Sequence, residues 1–228
     1  RGQNAELGLS WTGADSELLF AGWALLALPW VIVAGAPWLW LFWLLLLNVA
    51  LGLYLVGRAD FWGLFNLKHA ALWSPLLLNG AALALWEGLA LLGRVARPAY
   101  GPRWVALFAA VAATVPALVW VFRSPSDAWP ALRWSPFIYI AWALATSAFY
   151  RLRCRDLVPL ALLAGSLVVV LGAWVGRQIF DTYRHDEIAF LLLAVAIGGL
   201  STVATLWLRQ TGRAWARDEA QGDAEEGT

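Results

Sequence analysis

The chain has 228 residues, 61% of them hydrophobic and 14% charged, with a mean hydropathy of +0.66 and a formal net charge of +1. That composition argues against a nucleic-acid-binding protein, which needs a concentrated basic face, and places the chain among proteins that bury themselves in lipid. One cysteine, Cys154, excludes an internal disulfide, and two histidines, His69 and His185, are too few for a Cys/His metal site.

The chain contains no methionine, so further sequence is expected before Arg1. Residues 1–17 form a polar lead-in, in which Asp15 reads as a helix N-cap and Glu17 as a first-turn acid favoured by the helix dipole. The first apolar run, 18–33, is at the short edge for a crossing and carries Pro29 near its end. Four uncharged residues, 34–37, then allow only a tight antiparallel hairpin, and Pro37 suits the start of the next helix. Trp30, Trp38 and Trp40 cluster at this turn, as interfacial tryptophans do. The second run, 38–57, holds a lone amide, Asn48, which reads as a hydrogen bond to a neighbouring helix, worth about 0.6 to 2 kcal/mol, rather than a ligand site.

In the connector 58–69, Phe61, Leu64, Phe65 and Lys68 fall at helical spacing and read as a short amphipathic turn in the interface. The third run, 70–93, is about 36 Å long as a helix at roughly 1.5 Å per residue, enough to cross with some tilt. It carries Pro75, Asn79 and Glu87, and Glu87 is the one charged side chain inside any of the long apolar runs. A carboxylate in a span costs about 2.5 to 3.5 kcal/mol at the membrane centre, so it is expected to face protein. Its expected partner is an arginine of the 94–103 or 151–155 connector or a neighbouring amide. A proton or cation relay would call for a second intramembrane carboxylate or histidine, which the spans lack.

The basic connector 94–103 is expected to be non-helical because of Pro98, Gly101 and Pro102. The fourth run, 104–122, is alanine-rich with an internal Pro116, which predicts close packing and a kink. A turn-rich loop, 123–135, leads to the fifth run, 136–150, which ends at the basic cluster Arg151, Arg153 and Arg155 around Cys154. That thiol has no base or triad partner in the sequence and reads as incidental. The sixth run, 157–176, has Gly172 and Gly176 at the spacing that lets two helix backbones approach.

A polar loop is expected over 177–187, where Asp181, His185, Asp186 and Glu187 suggest a metal site less than an ordinary solvated loop. The seventh run, 188–208, has a small-residue stripe of Ala194, Gly198 and Thr202. Beyond it, Arg209, Arg213 and Arg217 recur every four residues on one helix face, which suits contact with anionic lipid. The acidic stretch 218–228 is expected to be disordered. Of the 17 tryptophans, most sit near run ends as interfacial anchors, while Trp23, Trp43, Trp86 and Trp142 lie deeper and are expected to pack on helices or lipid.

The expected fold is therefore all-α: a polytopic transmembrane helix bundle over 18–208 with about seven spans, a lead-in over 1–17 and a C-terminal basic helix end and acidic tail over 209–228. Counted on alternate sides of seven spans, seven Lys and Arg residues stand against nine. The nine, which include Arg94, Arg151 and the C-terminal arginines, are concentrated in short loops and are expected to be cytoplasmic.

Several stretches resemble a family of bacterial multi-pass membrane proteins catalogued as domain of unknown function 2157. They are Thr12-Gly13-Ala14-Asp15, Glu17-Leu18-Leu19-Phe20, the run from Trp23 to Trp30, Leu47-Asn48, Leu78-Asn79, Leu85-Trp86-Glu87, Asp186-Glu187 and Trp207-Leu208-Arg209. The resemblance covers most of the chain and implies a bacterial inner-membrane protein with further spans before residue 12; it implies no activity.

No acid/base pair, nucleophile or metal set stands out, and no cofactor is indicated. The residues favour a non-catalytic accessory or scaffold subunit, with membrane lipids and other integral membrane subunits as partners and no nucleic acid. One alternative is a small-molecule or lipid transporter or flippase whose path is lined by Pro29, Pro116, Asn48, Asn79 and Glu87. A second is a membrane enzyme on a lipid-linked substrate, with arginines beside the membrane holding phosphate.

Overall fold

A computed structural model describes residues 16–57, 73–93, 101–123, 132–182 and 187–226, and no strand occurs among them. Among the described residues seven α-helices follow one another: α1 (Ser16–Ala34), α2 (Pro37–Gly57), α3 (Ser74–Leu91), α4 (Gly101–Phe122), α5 (Ser135–Phe149), α6 (Leu157–Thr182) and α7 (Glu187–Glu226). Six of them, all but α5, are long and apolar enough to cross a membrane. The 15 residues of α5 fall short alone, but a 3-10 turn, Leu132–Trp134, leads in and a π turn, Tyr150–Cys154, leads out. Together they make a helical rod of roughly 34 Å. The chain is a multi-pass membrane protein with an all-α fold, as lipid requires of segments that must satisfy their own backbone groups.

Three element boundaries differ from expectation. Gly101 and Pro102 open α4 instead of lying in an irregular connector, because proline lacks only an N–H that a first helical turn leaves unpaired anyway. Helix α6 runs through the expected polar loop as far as Thr182, its last turns carrying an i,i+4 pair between Arg177 Nε and Asp181 Oδ2 at 3.6 Å. Helix α7 continues to Glu226, through most of the acidic stretch that composition alone marks as disordered. Alanine, glutamate and glutamine make up six of the nine residues 218–226, and all are good helix formers. The Asp15 cap, the connector with Lys68 and His69, Arg94, Arg97, His185 and Asp186 lie outside the described residues.

The chain divides into two compact units, Arg1–Val105 and Ala106–Thr228. In the first, α1 and α2 form the expected hairpin. Its turn needs Gly35, whose φ of +59° is disfavoured for residues with a Cβ, and Gly35 N–H donates to Val31 O at 3.2 Å. The indole N–H of Trp43 ties the pair by donating to Ala24 O at 2.8 Å. Outward, α1 presents Leu25, Leu26, Trp30 and Val33, all exposed.

In the second unit, Ala106, Ala109, Ala110, Ala113 and Ala117 of α4 are all buried, small side chains that allow close approach of neighbouring helices. Pro116 is buried as well and does not break the helix. Helices α6 and α7 pair antiparallel in one register. A Cβ on Gly172 would meet Ile197 at 3.4 Å, one on Gly176 would meet Leu193 at 3.2 Å, and one on Gly212 would meet Leu157 at 3.3 Å. Phe180 and Phe190 continue the series edge-on, with ring centroids 5.1 Å apart. The step of four from Gly172 to Gly176 is answered by a step of four back from Ile197 to Leu193, and the next, to Phe180, by a step of three to Phe190.

At 40 residues α7 is roughly 60 Å long, about twice the hydrocarbon thickness of a bilayer. Its register places Gly212 level with Leu157 at the start of α6, where the carboxylate of Asp156 accepts the N–H of Val158 at 3.0 Å. The residues after Gly212 therefore project past the start of α6 by roughly 20 Å. Arg155, held at φ +45° at the end of the π turn, pairs with Asp218 of this projection at 3.3 Å.

Candidate functional site

Among the described residues, three groups of polar side chains join helices to one another. The first joins α2 and α3, where Asn48 and Asn79 face each other. Asn48 Nδ2 donates to Asn79 Oδ1 at 3.1 Å, and Asn79 Nδ2 donates to Asn48 Oδ1 at 2.7 Å. The second hydrogen of each amide goes to the carbonyl four residues back, Leu44 O and Pro75 O, both at 2.8 Å. All four side-chain N–H donors are thereby used, and the pair has none left for a ligand.

Leu76, Asn79 and Glu87 are the buried residues of α3, and their spacing puts Leu76 and Glu87 on one stripe with Asn79 beside it. Glu87 is only 3% exposed and is engaged by a neighbour. Leu77, Leu85 and Leu91 point outward. A helix that turns amide and carboxyl inward and leucines outward has lipid as its solvent. Next to Glu87, Trp86 lays its indole over Gly101 of α4. A Cβ at 101 would lie 2.6 Å from the ring, so any other residue there would force the indole to shift. The indole N–H is buried there without a hydrogen-bond partner among the described residues.

The second place is a chain of hydroxyls in the Ala106–Thr228 unit that sequence reading did not single out. Thr114 Oγ1 donates to Ala110 O at 2.6 Å, which uses its only proton. Its 2.7 Å contact with Ser166 Oγ is therefore donated by Ser166, and the 2.7 Å contact between Ser166 and Tyr139 is donated by the phenol. The order Tyr139, Ser166, Thr114, Ala110 O runs one way and ends on a backbone carbonyl. It ties α5, α6 and α4 together and cannot pass a proton onward. Isolated Thr, Ser and Tyr residues in separate spans give no sequence signal for such a triad.

The third is Arg177 at the far end of α6. Its Nη1 donates to Val121 O and, at 2.9 Å, to Arg123 O, closing the C-terminal end of α4 with a cation where the helix dipole favours one. Beside it an open groove of about 530 Å³ runs between α6, α7 and Phe122. Gly172 and Gly176, expected as helix-packing positions, are buried against α7 and also line this groove.

Arg209, Arg213 and Arg217 are exposed on α7, the last two on its projecting part. The 155–218 ion pair brings this end of α7 to the turn that carries the also exposed Arg151 and Arg153. Among the described residues no three His, Cys, Asp or Glu side chains come together. Among the described residues, the Asn48–Asn79 pair, the Tyr139–Ser166–Thr114 chain and Arg177 tie helices to one another. Compared with protein-family models, curated proteins and solved structures, the chain has no match.

Proposed function

We propose that this chain is a bacterial inner-membrane protein acting as a non-catalytic accessory or scaffold subunit of a membrane complex, with membrane lipids and other integral membrane subunits as partners. The observation that carries the reading is the contrast between closed interior and open exterior. Inside, the Asn48–Asn79 pair and the Tyr139–Ser166–Thr114 chain are bonded within the bundle. Outside, α7 exposes Phe190, Leu191, Val195 and Val203, together with Ala194, Gly198 and Thr202. Nothing lies within 4 Å of a Cβ built on Gly198. A small-residue face of this kind lets another helix approach closely.

The reading includes the resemblance to the uncharacterised bacterial family and a cytoplasmic C-terminus, supported by the denser arginines on that side. There, Arg209, Arg213 and Arg217 contact anionic lipid at about 1 kcal/mol each. Extraction in mild detergent and quantitative mass spectrometry test it. A second integral membrane protein is expected in fixed ratio to the chain, and a clean monomer carrying a ligand in its interior would overturn the proposal.

A further inference from the structure

The groove of about 530 Å³ has a size typical of small-molecule sites, roughly 300 to 1,000 Å³. Phe122, Ala173, Phe180, Leu193 and Ile197 make its walls apolar. Gly172 and Gly176 line it where α6 packs closely on Ile197 and Leu193 of α7. Its polar end is formed by Arg177 and Asp181.

Position along the membrane follows from α6. Arg177 is roughly 30 Å from Leu157 along the helix, about one hydrocarbon thickness. The apolar part of the groove therefore lies within one leaflet, and the charged end lies at its headgroup level. An open apolar groove at that depth meets acyl chains and not water, so a lipid chain is what covers it.

The charges at the mouth select the headgroup. Arg177 uses Nη1 on the carbonyls of Val121 and Arg123 and turns Nε toward Asp181, and these contacts do not use the two N–H groups of Nη2. The Asp181 side chain is 67% exposed and faces the headgroup layer. A phosphate on the guanidinium and a primary ammonium on the carboxylate complement both groups at once. A purely anionic headgroup would set its charge against Asp181. We infer that this groove holds one zwitterionic phospholipid with a phosphoethanolamine headgroup, its phosphate on Arg177, its ammonium on Asp181 and one acyl chain over Gly172 and Gly176. The inference needs only the multi-pass membrane fold and stands or falls separately from the scaffold role.

The test uses the full chain, purified and delipidated in detergent, titrated with dioleoyl phosphatidylethanolamine or dioleoyl phosphatidylglycerol and read by native mass spectrometry. One saturable phosphatidylethanolamine adduct is expected, about fivefold or more tighter than phosphatidylglycerol. Ala173→Phe fills the groove and is expected to weaken both lipids about tenfold. Asp181→Asn is expected to abolish the preference for the ethanolamine lipid while leaving phosphatidylglycerol binding at least as strong. Arg177 also closes α4, so its replacement is not the deciding variant; the exposed Asp181 keeps the test valid if Ala173→Phe fails to fold. Equal binding of the two lipids to the unaltered chain, a preference that survives Asp181→Asn, or affinity unmoved in a folded Ala173→Phe variant would overturn the inference.

Discussion

Asn79 is 1% exposed, and its amide exchanges two bonds with Asn48 of α2 and donates one back along its own helix, so removing it deprives Asn48 of both partners across the helix pair. Asn79→Ala is expected to destabilise the fold by about 1 to 2 kcal/mol. Asn48→Ala combined with it is expected to cost less than the sum of the two, because the second change removes a group already deprived of its partner. Reversible unfolding in mixed detergent micelles measures both, and strict additivity would show that the pair is not a tie. Glu87 follows the same logic with a different substitution. Glu87→Gln is expected to be tolerated, whereas Glu87→Leu leaves the engaging neighbour unsatisfied and is expected to cost about 1 to 3 kcal/mol in the same assay. Equal loss from both variants would show that the carboxylate charge itself is needed. The sequence marks Asn48, Asn79 and Glu87 as inward-facing because a lone polar group in an apolar run has nowhere else to go. It does not reveal that the two amides meet, since they are separated by 31 positions and nothing local encodes the lateral arrangement of helices.

Between elements, the pairing of α6 with α7 depends on glycines that face branched side chains. Gly176→Ala is expected to be absorbed by a shift of a few tenths of an ångström at Leu193, while Gly176→Leu forces the helices apart at a cost of about 1 to 3 kcal/mol. Thermal melting in detergent compares the two, and a Gly176→Leu chain as stable as the original would contradict the register. Hydropathy locates all seven helices, because a continuous apolar run in lipid has no other way to satisfy its backbone. It misplaces their ends, since polar residues past the hydrocarbon carry no periodic apolar signal although they are good helix formers. The extension of α6 past Arg177 and of α7 past Leu208 are both of this kind. The start of α4 was legible in principle, because proline one residue into a helix is a common opening and only Arg103 separates Gly101-Pro102 from the apolar run. The glycine pair at 172 and 176 signals close packing, but the partner helix and the groove beside it depend on tertiary register that a single run does not contain.

Within each of the two units, among the described residues, polar side chains tie helices together, as in the Asn48–Asn79 pair and the Tyr139–Ser166–Thr114 chain, while leucines, valines and aromatic rings are exposed. Topology gives one prediction at this scale. A reporter active only in the cytoplasm is expected to work when fused after Thr228, which puts the α7 projection and the turn after α5 on the cytoplasmic side. Activity of a periplasm-specific reporter at that position would invert the topology. Photocrosslinking in the native membrane from single reactive residues at Val195 and Val203, which are 66% and 65% exposed, with fully buried Leu160 as control, tests the proposed cover of the exposed α7 face by another membrane subunit. One discrete adduct with the same second membrane polypeptide is expected from both α7 positions, with only intrachain products from Leu160. Lipid adducts alone at both α7 positions would contradict it.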